Sequence, residues 1–198
     1  MARTGVRLAA TGTAVVLAIT GFCGVAAADT TATTTAPTGS AVVTVDQQFL
    51  AKSLLGGIAV VPLTPATADV TNNVVTSTFP VTGGVANIPS FSGQVQLGGG
   101  LLFVNLTNGK TVTFKQLGFK VRDWNVSAVP NGATAPVALL DPLGDTQVGR
   151  TGTTQTLSAS DLQLDAAGAQ YLDGALGTTY FTGGQSLGSF ALTYTPGS

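Results

Sequence analysis

The chain has 198 residues, eight Lys and Arg against nine acidic residues, and no His. Every acid is Asp, and Met1 and Cys23 are its single Met and Cys. This balance argues against nucleic acid and anionic lipid as partners, and the missing His and Glu remove most acid–base, nucleophilic and transition-metal chemistry.

At the start, Arg3 and Arg7 form a positive region, Leu8 to Val25 is an apolar run, and Ala26-Ala27-Ala28 precedes Asp29. This is the grammar of a cleavable signal peptide over residues 1–28, with Ala26 and Ala28 recognised by the peptidase and Asp29 as the first mature residue. The continuous apolar core, Ala14 to Ile19, is far short of the roughly 20 residues a membrane span needs. Phe22 before Cys23 also argues against lipid attachment. Export would remove the only Cys together with Arg3 and Arg7, leaving six basic and nine acidic residues, a net charge of −3. The expected product is secreted or extracellular, without a membrane span, and dependent on packing rather than disulfides.

Residues 29–40, a Thr, Ala and Pro tract, read as a flexible leader with nothing to bury. Residues 41–198 read as one domain, long enough to bury about 70% of its unfolded surface. Short Val, Thr, Phe and Leu runs between Gly, Pro and Asn predict a mainly β fold: an antiparallel β-sandwich, or a partly closed barrel, with two short helices. Asp46 caps the first helix, QQFLAKSLL, which ends at Gly56; Asp165 caps the second, AAGAQYLDGAL, which ends at Gly177.

Between them, LLFVNLTNGKTVTF over 101–114 predicts a hairpin. A two-residue turn at Asn108-Gly109 would mix apolar and polar side chains on one face. A three-residue loop, Thr107 to Gly109, pairs Leu106 with Lys110, Val104 with Val112 and Leu102 with Phe114, and predicts a left-handed Gly109. Past Gln116 the apolar phase moves to Leu117, Phe119 and Val121, then returns at Trp124 and Val126. Because side chains alternate with period two, each change predicts a bulge or bend. Later strands are expected at 135–140, 153–157 and 188–195.

Several motifs invite chemistry. Gly184-Gln185-Ser186-Leu187-Gly188 matches a nucleophile elbow, but without His no base takes the serine proton, and the following SFALTY reads as strand. Gly109-Lys110-Thr111 resembles the tail of a phosphate loop whose first Gly would fall where Val104 stands. Asp141 and Asp145 are candidate Ca²⁺ ligands, although their spacing fits no defined loop. Paired aspartates among Asp123, Asp141, Asp145, Asp161, Asp165 and Asp173 would suit a glycan hydrolase, but Asp in such contexts more often caps and turns. Trp124, Tyr171, Tyr180 and Tyr194 could offer a sugar platform or, as a phenolate, a haem ligand; core and sheet-edge roles are commoner. Asn105-Leu106-Thr107 and Asn125-Val126-Ser127 match the glycosylation triplet.

The succession GGIAVVPLTPA, TFPVTGG, SGQVQLGGGLLF, KTVTFKQLGFKV and LQLDAAGAQYLDGALGTTYFTGGQSLGSFAL resembles poorly characterised secreted domains of Gram-positive bacteria, themselves similar to the HtaA haem-transport-associated domain. The resemblance covers residues 41–195 and rests on Gly and apolar positions. It implies a β-sandwich, and a haem site built on a Tyr supported by a His; with no His here, Tyr171, Tyr180 and Tyr194 cannot be placed on that motif. The expectation is therefore a non-enzymatic, secreted or cell-surface structural or binding module without a cofactor. The alternatives are a carrier of haem or another apolar ligand, and an Asp-dependent glycan hydrolase. The cell wall, self-association and a small apolar molecule are the partners to consider.

Overall fold

The computed structural model describes residues 35–198, so the signal peptide and its cleavage point at Ala26, Ala28 and Asp29 lie outside the described residues. The strands are β1 (Thr38–Val45), β2 (Ile58–Leu63), β3 (Thr67–Thr71), β4 (Val74–Asn87), β5 (Ser92–Leu97), β6 (Gly100–Asn105), β7 (Thr111–Lys120), β8 (Asn125–Pro130), β9 (Val137–Thr151), β10 (Thr154–Leu164) and β11 (Ser186–Thr195). The helices are α1 (Gln47–Leu55) and α2 (Ala166–Leu176). β1 opens at Thr38, inside the tract expected to be leader, because Thr38 to Ser40 find partners on β11.

The mainly β, antiparallel character and the two helices are as expected; of the two expected architectures the barrel is the nearer, closed rather than partly closed, and the two sheets of a sandwich do not form. Eight strands close a ring in the order β7-β5-β4-β1-β11-β10-β9-β8, and β8 pairs back onto β7. β6 and β2 extend the sheet from β7, and β3 extends it from β4. Closure removes the free edges of the ring itself and leaves edges at the appended strands β2 and β3.

The turning point of the ring is the predicted phase change. Gln116 adopts φ 51°, and the β7–β8 register slips between Lys115 and Gly118. Before the slip β7 pairs with β6, as in Phe103 with Val112; after it β7 pairs with β5, as in Val95 with Phe119. The extra residue returns the inward phase to Leu117 and Phe119, which with Phe114 are buried. A second left-handed residue, Trp124 (φ 55°), marks the return before β8.

Both helices begin and end where expected. Asp46 Oδ1 accepts from the backbone N–H groups of Gln48 and Phe49, and Asp165 Oδ1 accepts from that of Ala167, satisfying amides that the first turn leaves unpaired. Gly177 closes α2 in the left-handed region, φ 61°. Among the described residues no helix is long and apolar enough to cross a membrane.

The hairpin between β6 and β7 has a different register from the expected one. Phe103 faces Val112 and Leu101 faces Phe114, one residue away from the expected register, and residues 106–110 connect the strands. Gly109 is left-handed as expected, φ 74°. The reason is Asn105. It turns inward, 5% exposed, and its Nδ2 donates 3.2 Å to the Leu176 carbonyl at the end of α2, while Asn108 Nδ2 donates to the same oxygen at 2.9 Å. Capping a helix carbonyl outweighs burying Leu106, which is left exposed.

Candidate functional site

One mouth of the ring holds a cavity of about 350 Å³. Its walls follow from strand periodicity. On β1 the odd residues Ala41, Val43 and Val45 face inward, directly opposite Phe79, Ser77 and Val75 of β4. α1 crosses above them with Phe49, Leu50, Ser53 and Leu54, β2 adds Ile58, Val60 and Pro62, and Leu117, Val126, Leu140, Leu162 and Phe190 form the floor. Small and β-branched residues on β1 leave the space that larger side chains would fill. All lining residues are apolar except Ser53 and Ser77. Such a cavity, apolar with few polar groups, is the usual form of a small-molecule site.

Leu54 lines the cavity yet is 67% exposed, and its neighbour Leu55 is 89% exposed. The C-terminal turn of α1 therefore stands at the cavity mouth with an apolar edge open to solvent. Ser53 is buried, and its Oγ lies 2.9 Å from the hydroxyl of Tyr180, which also accepts from Gln185 Nε2 at 3.4 Å. The Tyr180 ring lies against Gly56, where an added Cβ would come within 2.7 Å of it. Only glycine lets the ring approach this end of the helix so closely.

None of the three tyrosines lines the cavity. Tyr194 is buried and donates 3.0 Å to the Gly84 carbonyl. Tyr171 is half-buried with its ring edge-on to Phe114, centroids 5.6 Å apart. Tyr180 reaches the wall only through Ser53. Trp124 packs between Phe91 and Phe119, at 5.2 and 5.5 Å, a packing role rather than an open platform.

The candidate calcium residues are not gathered into a cluster: among the described residues no three acidic side chains come together. Asp145 lies on the exposed length of β9, its backbone N–H bonded to Ser160 Oγ. Asp141 instead meets the carboxyl of Asp165, and its pKa is pushed up to about 6, first by burial, then by the charge of Asp165 and a hydrogen bond with it. Other candidate aspartates serve as local acceptors: Asp165 caps α2, Asp161 accepts from Gln163, and Asp173 accepts from the Phe181 N–H. Ser186 does not sit on an elbow; it opens β11 and donates to Asp161 Oδ1 at 2.6 Å. Asn105, the acceptor of the first glycosylation triplet, is buried.

The raised Asp141 pKa makes a stability prediction. A carboxyl whose folded pKa lies above its ordinary 3.8 favours the protonated folded state. Its contribution is complete below about pH 4, fades as pH rises toward 6, and is gone above that. Screening of this half-exposed group reduces the effect to about 1 kcal/mol. Melting curves from pH 3.5 to 8 should show Asp141→Asn gaining on wild type across that window; parallel curves would show that the carboxyl pair does not couple to folding.

No family model matches the chain, and no curated protein matches it. Solved structures do. The C-terminal domain of HtaA from Corynebacterium glutamicum superposes with a TM-score of 0.51 at 12% identity, covering 80% of this chain and 98% of that domain. The chain is distantly similar to the HtaA domain. The haem-binding protein HtaB from the same organism superposes with a TM-score of 0.46 at 14% identity, over 82% of this chain and 94% of its own. At 12% identity the likeness to the HtaA domain is one of fold.

The cavity itself was missed at the sequence level. Its walls come from strands far apart in the chain, and the one local signal was Ser53, a polar residue within the apolar pattern of the first helix.

Proposed function

We propose that this chain is an exported binding module that carries a small apolar molecule in the cavity beneath α1. The observation that carries this reading is the lining, apolar throughout except for two serine hydroxyls. Each methylene moved from water onto such a surface gains about 0.8 kcal/mol, so a hydrocarbon chain or ring system is the ligand favoured. Structural association with the cell wall has no comparable feature behind it.

Haem, which the resemblance implied, fits this cavity poorly. A haem iron needs an axial His, Cys, Met or Tyr. The chain has no His, its only Cys and Met are Cys23 and Met1, outside the described residues, and no Tyr lines the wall. The ligand favoured is therefore apolar and metal-free.

Titration with the hydrocarbon fluorophore diphenylhexatriene tests the reading. Saturable one-to-one binding is expected, while haemin should show no Soret change typical of tyrosinate ligation. Absence of saturable fluorescence would overturn the carrier; a ligated Soret band lost on replacing Tyr171, Tyr180 or Tyr194 by Phe would replace it with a haem carrier.

A further inference from the structure

Resting on that reading, the hydrogen-bond inventory of the wall narrows the ligand class. Ser53, 4% exposed in the last turn of α1, and the half-buried Ser77 of β4 are the two hydroxyls on an otherwise apolar wall. A serine within a helix commonly returns its proton to the carbonyl one turn back; Ser53 is instead joined to Tyr180 at 2.9 Å. The two hydroxyls together offer two protons and four lone pairs. Gln185 donates to Tyr180, and the phenol is the more acidic of the two groups. Either hydroxyl can donate across this contact; we assign the proton to Tyr180, the more acidic group. This leaves Ser53 with its own proton and one lone pair on the cavity side.

That remainder matches one neutral oxygen function. A ligand carbonyl can accept from Ser53, and a ligand hydroxyl can do so and also donate. No Lys, Arg or Asp lines the cavity, so nothing there can offset the charge of a carboxylate, phosphate or ammonium. An ionised head group drawn inside would lose hydration worth several kcal/mol against one neutral hydrogen bond.

We propose that the cavity selects an uncharged long-chain alcohol, ketone or ester over the matching carboxylate, with Ser53 reading the head group and Tyr180 positioning Ser53. Gly56, by admitting the Tyr180 ring, sets that position.

The test is displacement of diphenylhexatriene at pH 8 by dodecan-1-ol and by dodecanoate, both below their aggregation limits. Dodecan-1-ol is expected to compete at least tenfold better. In Ser53→Ala its affinity relative to that of the probe, which has no polar atom, should fall three- to tenfold, the range of one neutral hydrogen bond. Equal or better competition by dodecanoate, or an unchanged relative alcohol affinity in Ser53→Ala, would overturn the selectivity and leave the carrier standing. Failure of the probe to bind wild type would overturn both.

Discussion

Gln155→Ala is expected to lower the melting temperature by about 10 °C, among the largest losses available from a single polar side chain here. Gln155 is 2% exposed on β10, and its amide spans the ring. Oε1 accepts from the Ile88 N–H at 2.6 Å, and Nε2 donates to the Ala86 carbonyl at 3.2 Å. These backbone groups lie where β4 gives way to the short 3₁₀ turn Ile88–Ser90, so the sheet ladder does not serve the Ile88 amide. Truncation leaves a buried donor and a buried acceptor without partners, about 1–3 kcal/mol each, and a total near 4 kcal/mol. For a domain of this length each kcal/mol moves the midpoint by about 2–4 °C. Tyr194, paired with Gln155 across β10 and β11, reaches the same stretch through Gly84. The two side chains act as neighbouring cross-barrel ties, and Gln155→Ala with Tyr194→Phe should be less than additive. A calorimetric shift below about 3 °C for Gln155→Ala would mean that water replaces its bonds.

The features legible from sequence were those with local causes. Asp46 and Asp165 announced both helices because capping involves residues two or three apart, and Gln116 announced its bulge because a change of alternation leaves no other geometry. Asn105 defeated the same reasoning. Pattern alone placed Leu106 inside, whereas the acceptor that draws Asn105 inward belongs to Leu176, 71 residues later. Ring closure was hidden for a similar reason, since β1 must pair with β11 from the other end of the domain, and β7 with β5 past the intervening β6. The tyrosines were sensible candidates by chemistry. Their surroundings assign Tyr194 to the core and Tyr180 to a hydrogen bond behind the cavity wall. What the sequence could not display was the cavity, because a void is a property of assembled walls: Val43 and Ser77 look ordinary until β1 and β4 set them side by side on its lining.

That pair supplies the strongest functional prediction. Ser77 sits in the middle of β4, between Val43 of β1 and Ala68 of β3, and all three residues line the cavity. Ser77→Phe would project a ring into the space from a strand position, where aromatic residues are well tolerated. Overpacking normally costs about 1–3 kcal/mol because a dense core has no room; here the room exists, and the ring buries its own apolar surface. The fold should hold, with a melting temperature equal to or above that of wild type. Binding should fail, because the ligand and the ring compete for the same volume. Diphenylhexatriene affinity is expected to fall at least 50-fold, a loss of about 2.3 kcal/mol or more. Leu143→Phe, on an exposed part of β9 outside the cavity, is the matched control and should bind as wild type does. Combining a stable fold with lost binding separates occlusion from unfolding. If Ser77→Phe remained folded and bound the probe within twofold of wild type, the ligand would have to lie outside this cavity, and with it would go the roles given to α1 and Ser53.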